Sequence, residues 1–171
     1  MASEWVGPNY SVVDIAEYEI RIEKRRRIED FCLQFFKDYW TTTNSKVPLV
    51  QVCQRAIREK DYAITERSAS HLTLENFDDT FQAMCLDLFK NTDKNGYVVS
   101  LLVFCIELDA CLQDYTWYSI SLLIDSLVDA LEYVHFNPPS FNLNQSNLVD
   151  NVTSSVTNII PALLLFYILF K

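Results

Sequence analysis

With 171 residues, 50% hydrophobic and 22% charged, the chain suits one domain with a single core and is neither a disordered tail nor wholly membrane-embedded. A formal charge of −9 argues against general nucleic-acid binding, whose affinity comes mostly from neutralising phosphates. Two glycines (Gly7, Gly96) and two histidines (His71, His135) leave no Gly-rich phosphate loop, no His-rich metal site and few turn residues for an all-β fold. An all-α protein made for binding is expected.

Residues 1–13 contain Gly7-Pro8 and lack periodicity, which predicts a flexible N-terminal arm. A long helix follows over 14–40, with Ile28, Phe31, Cys32, Phe35, Phe36 and Tyr39 on one stripe. Its basic run Lys24-Arg25-Arg26-Arg27 could be a localisation or phosphate-binding patch. Inside a helical pattern, with Glu23 and Arg27 at i, i+4, it reads better as a solvated face. Thr41 to Ser45 form a polar linker, and Pro48 suits the first turn of a second helix reaching toward Ile64.

A helix over 74–90 places Leu74, Phe77, Phe81, Met84, Cys85 and Leu88 on one face. After a turn at 91–96, the stretch 98–112 is polar only at Ser100, Glu107 and Asp109. Fifteen residues make about 22 Å of helix, too short to span a membrane, so this is expected to be the central core helix. Buried carboxylates are costly unless paired, so at least one of Glu107 and Asp109 should be hydrogen-bonded or face solvent. An amphipathic helix over 116–135 follows, stopped by Asn137-Pro138-Pro139, with a short helix possible in 140–150.

Residues 159–170 are all apolar, Pro161 included, and Lys171 follows them. Counted from Val152, the 152–171 tail approaches the length of a span. A membrane anchor is favoured over a helix docked on the protein itself. Five cysteines (Cys32, Cys53, Cys85, Cys105, Cys111) show no CxxC spacing and read as small hydrophobes in a reduced compartment. Asn9, Asn144 and Asn151 open N-x-S/T triplets, taken as chance matches in a cytosol-facing chain.

The turn itself admits two readings. Asn91, Asp93, Asn95 and Gly96 mimic the start of a calcium loop, but position 12, which needs a bidentate Glu, is Leu102. The plainer reading is a helix junction with Asn95 capping the next helix.

Phe81-x-x-Met84-x-x-x-Leu88-Phe89, a polar turn, then Asn95-Gly96-Tyr97-Val98-Val99 resembles the first homology motif of the Bcl-2 family of apoptosis regulators. Phe31, Leu33, Phe35 and Phe36 ahead of Lys37-Asp38-Tyr39-Trp40 resemble the family's N-terminal motif, and element order agrees over residues 17–135. The chain departs from the family where N-W-G-R becomes Lys94-Asn95-Gly96-Tyr97, so the motif arginine is absent. The second motif is not visible near 136–152, and of the third motif's positions at Ala56, Glu59 and Asp61 only the last fits. Such erosion is most like divergent viral pro-survival members.

The resemblance implies a Bcl-2-like helical bundle over 14–151 around a central apolar helix, with a C-terminal hydrophobic tail. It implies a pro-survival inhibitor that sequesters BH3 helices of pro-apoptotic proteins in a hydrophobic groove, without enzyme activity, cofactor, metal or nucleic acid. The tail would anchor it, cytosol-facing, to the mitochondrial outer membrane or another intracellular membrane. Carried over by position, Phe81, Met84, Cys85, Leu88, Phe89, Lys94, Asn95, Gly96, Tyr97 and Val99 would lie at the groove. Gly96, lacking Cβ, would let a ligand backbone approach, and Tyr97 or Lys94 would stand in for the arginine that meets a ligand carboxylate. Core packing is the plain alternative for each apolar residue. Two other functions fit the same bundle: an immune modulator of viral type that binds signalling proteins by an outer face, and a pro-apoptotic pore former.

Overall fold

A computed structural model describes residues 11–41, 46–58, 69–141, 143 and 152. The described residues are all-helical: five α-helices and a 3-10 turn at Pro138–Ser140, with no strand among them. The tail beyond Val152, the asparagines of the three N-x-S/T triplets and the 59–64 extension of the second helix lie outside the described residues, as do Glu59 and Asp61.

Helix α1 spans Val12–Thr41, two residues earlier than the pattern predicts, because Ser11 and Asp14 form a reciprocal cap. Ser11 Oγ accepts from the Asp14 amide at 3.1 Å, and Asp14 Oδ2 accepts from the Ser11 amide at 3.2 Å. That bond lowers the Asp14 pKa, the Ser11 hydroxyl contributing most. Only the C-terminal half of α1 enters the core, through Ile28, Cys32, Phe35 and Phe36. In the basic run, Arg26 and Arg27 pair with Glu23 on the surface at 2.7 and 3.4 Å. Arg25 does more than a solvated residue: its Nη1 bridges Asp129 and Glu132, fastening α1 to the last helix.

Helix α2 spans Pro48–Arg58, with Pro48 in its first turn as expected. Leu49, Val50, Cys53, Ala56 and Ile57 form its buried face. Helix α3 spans Phe77–Asn91 rather than starting near residue 74. Thr73 and Asn76 bond reciprocally, amide to side chain, at 2.7 and 3.3 Å. That turn consumes Leu74, which is 55% exposed and not on the apolar face where its spacing placed it.

Helix α4 spans Lys94–Leu112, 19 residues, four more than expected at its N-terminus. At about 28 Å it is long and apolar enough to cross a membrane, so the argument from shortness fails. Burial decides instead: every residue from Gly96 to Asp109, and Leu112, is inside the bundle. The central-helix reading stands on that ground.

Helix α5 spans Ile120–Tyr133, starting later than 116 because Ser119 Oγ caps it by accepting from the Leu122 amide at 3.3 Å. Trp117 therefore lies in the preceding turn. The helix stops before the prolines. His135 takes a left-handed conformation (φ 55°), its amide donating to Glu132 O and that of Phe136 to Leu131 O, both at 3.0 Å. This is the paired C-terminal closure usually given to glycine, built in a chain with almost none.

Helix α4 is the axis. Helices α2, α3 and α5 pack on it, α3 also meets α5, and α1 lies across α5. Phe31 of α1 stacks edge-on against Phe136 and Phe141 at centroid distances of 5.0 and 6.2 Å, tying the segment after α5 back to α1.

Candidate ligand groove

The ten residues singled out by the sequence sit on α3 and the first turns of α4, but on two sides of α3 and at different depths. Phe81, Met84 and Leu88 share one side and are buried. Phe81 stacks on Phe77 at 5.8 Å and on Phe104 of α4 at 6.2 Å. Cys85 and Phe89 lie on the other side, toward α5 and Tyr97. Val99 is fully buried in the core.

The motif's polar positions turn inward or cap helices. Tyr97 is 1% exposed, its ring edge-on to Phe89 at 5.3 Å and its hydroxyl donating to the Cys85 thiol. Burial pushes the Tyr97 phenol well above its ordinary value, and the Cys85 contacts add to this. Burial likewise raises the Cys85 thiol, which the Tyr97 hydrogen bond partly offsets. The hydroxyl expected to meet a ligand carboxylate is thus already engaged. Lys94 is exposed, and its Nζ donates to His135 O at 3.2 Å, fixing the start of α4 to the end of α5.

One expectation at this turn needs correcting. Asp93, not Asn95, caps α4, its carboxylate accepting from the Gly96 amide at 3.1 Å, while Asn95 lies within the helix. Residues 94–102 are helical, so no twelve-residue cation loop forms here. Gly96 serves the same cap. A Cβ there would lie 2.7 Å from Asp93 Oδ1, so the missing side chain leaves room for the capping carboxylate.

The space around these residues is small. On the Phe81 side, a notch of about 10 Å³ is lined by Leu72, Phe77, Thr80, Met84, Phe104 and Leu108. The segment before α3 closes it, with Leu72 only 4% exposed. On the Tyr97 side, a cavity of about 130 Å³ opens between α3 and α5, bordered by Gln82, Cys85, Leu86 and Tyr133.

Sequence reasoning missed a third cavity among the described residues, larger than these two. About 650 Å³ in volume, it lies between α1, α2 and the segment carrying Pro138, Pro139, Phe141 and Leu143. Phe31, Phe35, Leu49, Phe141 and Leu143 form its apolar walls, with Asp30 and Asp38 at the rim. Phe31 and Phe35 were assigned to the core stripe, and only contact with Phe141, 110 residues after Phe31, reveals the concavity. That contact is not local, so periodicity could not signal it. All three spaces are walled chiefly by carbon and suit apolar anchors.

Buried Glu107 and Asp109 meet the expectation that at least one is hydrogen-bonded: Asp109 accepts from Tyr118 and Gln113 at 2.6 and 3.0 Å. The five cysteines are free, four of them buried, and burial pushes Cys32 up to about 12. No protein-family model, curated protein or solved structure matches the chain, so residues and geometry alone carry the functional argument.

Proposed function

We propose that this protein is a Bcl-2-like pro-survival inhibitor of apoptosis that captures amphipathic BH3 helices of pro-apoptotic partners. The observation that carries the reading is the α3–turn–α4 unit. An amphipathic helix bearing Phe81, Met84 and Leu88 turns within two residues into an apolar helix, buried from Gly96 to Asp109, on which α2, α3 and α5 pack. The motif resemblance falls on that same unit. A helical ligand offers apolar anchors at i, i+3 or i+4, and i+7. The notch beside Phe81 and Met84 would take one such anchor once Leu72, which forms part of its wall, moves aside.

Because Tyr97 and Lys94 are both engaged within the protein, recognition rests on apolar anchors more than on a ligand carboxylate. The tail at 152–171 would hold the protein, cytosol-facing, on the mitochondrial outer membrane or another intracellular membrane. Titration calorimetry of the full chain against a panel of BH3 peptides tests the proposal. Micromolar or tighter binding by at least one peptide is expected. Silence across the panel would overturn it.

One observation favours a second reading. The notch on the Phe81 side retains only about 10 Å³, as befits a bundle that engages signalling proteins by an outer face. Under that reading no peptide in the panel binds.

A further inference from the structure

The described residues leave the walls of the cavity between α1 and α2 unfinished. Phe35 and Leu49 are buried, but Phe31, Phe141 and Leu143 are only half-buried and Val47 is 39% exposed. A hollow of about 650 Å³ lined by aromatic and aliphatic carbon has room for several apolar side chains. It shares no lining residue with the notch beside Phe81 or with the cavity at Tyr97. What fills it is therefore a separate question from peptide capture at the notch.

Among the stretches outside the described residues, composition and reach select one. Residues 42–45 are Thr-Thr-Thr-Asn, and 144–151 hold only Leu148 and Val149 among polar neighbours. Residues 59–68 follow Arg58, about 12 Å along α2 from Val50 and away from the cavity. Residues 1–10 precede Ser11, about 24 Å along α1 from Arg27, the first residue of α1 on the cavity. Their bulky pair Trp5-Val6 lies within about 20 Å of Ser11 even when fully extended. Residues 159–170, by contrast, are twelve apolar residues without interruption.

That run is also within reach. Leu143 is part of the cavity wall, and Val152, nine residues on, is fully buried in the core. The chain is thus still on the bundle seven residues before Ile159. Seven extended residues cover about 23 Å, more than the length of α2 at about 16 Å.

Charge points the same way. Neither Asp30 nor Asp38 at the rim forms an ion pair among the described residues, and Asp38 accepts from the Gln34 side chain at 2.9 Å. Arg27, the cation at that rim, is already paired with Glu23. Lys171 directly follows the apolar run and is the only charged side chain in 151–171. A run closed by one cation complements a hollow rimmed by two carboxylates.

We infer that residues 159–170 dock in the cavity between α1 and α2 when no membrane is present. Docking and anchoring exclude each other, because the same side chains cannot fill the cavity and lie in lipid. Release to a bilayer rests on the anchoring role proposed above, whereas the docking does not.

Photocrosslinking of the full chain, free of lipid and detergent, tests this. Benzoylphenylalanine replaces Phe166 or, separately, Phe170, and the products are mapped by mass spectrometry. Crosslinks within one chain to the peptides carrying Phe31 or Leu49 are expected. Crosslinks to the peptide carrying Phe81 would put the tail at the notch, and crosslinked dimers would put it on a second copy. Either result, or no crosslink at all, would overturn the inference.

Two sets of variants add a second readout. Leu143→Asp sets a charge in the wall, and Asp30→Lys with Asp38→Lys removes the partners of Lys171. None of the three side chains is fully buried, so circular dichroism should match wild type. Both variants should lose the crosslinks and partition onto phosphatidylcholine vesicles about tenfold more strongly, since the tail no longer has to leave a docked state. Adding Lys171→Glu to the double lysine variant should recover the crosslinks. Crosslinks that persist in both variants would overturn the inference. Crosslinks that respond as expected while no form binds vesicles would support the docking and count against the anchor.

Discussion

The hydroxyl of Tyr118 lies 2.6 Å from Oδ1 of Asp109, across the turn that joins α4 to α5. Asp109 is 5% exposed and sits near the C-terminus of α4, where the helix dipole disfavours negative charge. Tyr118, with Nε2 of Gln113 at 3.0 Å, makes that position tolerable and fixes the approach to α5. Burial first, then the bond to Asp109, holds the Tyr118 phenol above its ordinary value. Tyr118→Phe should lower stability by about 1.5–3 kcal/mol, the range for a hydrogen bond to a charged group. The loss should be smaller in an Asp109→Asn background. Urea denaturation of the four proteins gives the coupling, and full additivity would mean that this pair does not hold the turn.

Alkaline pH should unfold the protein through its thiols. Burial raises Cys32 to about 12 and also raises Cys53, Cys85 and Cys105, whereas unfolded thiols titrate near 8.5–9. The folded value is the higher, so this stability is fully present below about pH 8.5 and drains as pH rises toward the folded values. Each thiol held protonated contributes a loss of about 1.4 kcal/mol per pH unit in that window. Denaturation midpoints measured under reducing conditions should fall steadily above pH 9, and less steeply in Cys53→Ala. A flat profile to pH 11 would contradict the burial of these groups.

What the sequence could reveal was set by local pattern. Helix identity and the central place of α4 follow from apolar spacing and from a run with almost no polar residue. Helix starts were shifted wherever a side-chain cap outranked spacing: Ser11 moved α1 forward, Ser119 moved α5 back, and Asp93 took the role given to Asn95. The candidate residues were legible as a helix face but not in their depth. A stripe of Phe81, Met84 and Leu88 looks the same whether it lines an open groove or a closed one. Leu72, which walls the notch on that side, lies in a segment without periodicity. The exposed apolar residues of α1 were hidden for the opposite reason. A helix whose N-terminal half carries apolar residues on two opposite sides shows no single stripe.

Gly96 and Asp93 should behave as one unit. Asp93→Ala removes the α4 cap and should cost about 1 kcal/mol. In Gly96→Ala the new Cβ displaces the Asp93 carboxylate, and that loss is offset by alanine's advantage of about 1 kcal/mol over glycine in a helix. Gly96→Ala should therefore be nearly neutral, with Asp93→Ala costing much less in its background. A loss above about 2 kcal/mol for Gly96→Ala would mean that the Cβ meets something more rigid than a side-chain carboxylate. Unchanged stability with peptide affinity down tenfold would point to the ligand-approach role.

The final prediction concerns Leu72, a buried side chain that lines the notch and would have to move aside for a helical ligand's anchor to enter. Truncating a buried leucine costs about 2–5 kcal/mol, so Leu72→Ala should unfold at lower urea than wild type. Binding should move the other way. If a ligand enters only when Leu72 moves aside, its apparent affinity is reduced by the fraction of molecules in the open state. Burial of a leucine side chain is worth about 1.5–3 kcal/mol, so removing this side chain should tighten binding of a BH3 peptide about tenfold or more. Leu88→Ala is the control: it destabilises α3 by truncating a fully buried leucine that does not line the notch. It should loosen the fold without raising affinity. Calorimetric titration of one peptide against wild type and both variants separates the cases. Equal affinity changes in the two variants would attribute the effect to general loosening, and weaker binding by Leu72→Ala would make Leu72 part of the binding surface rather than an obstacle to it.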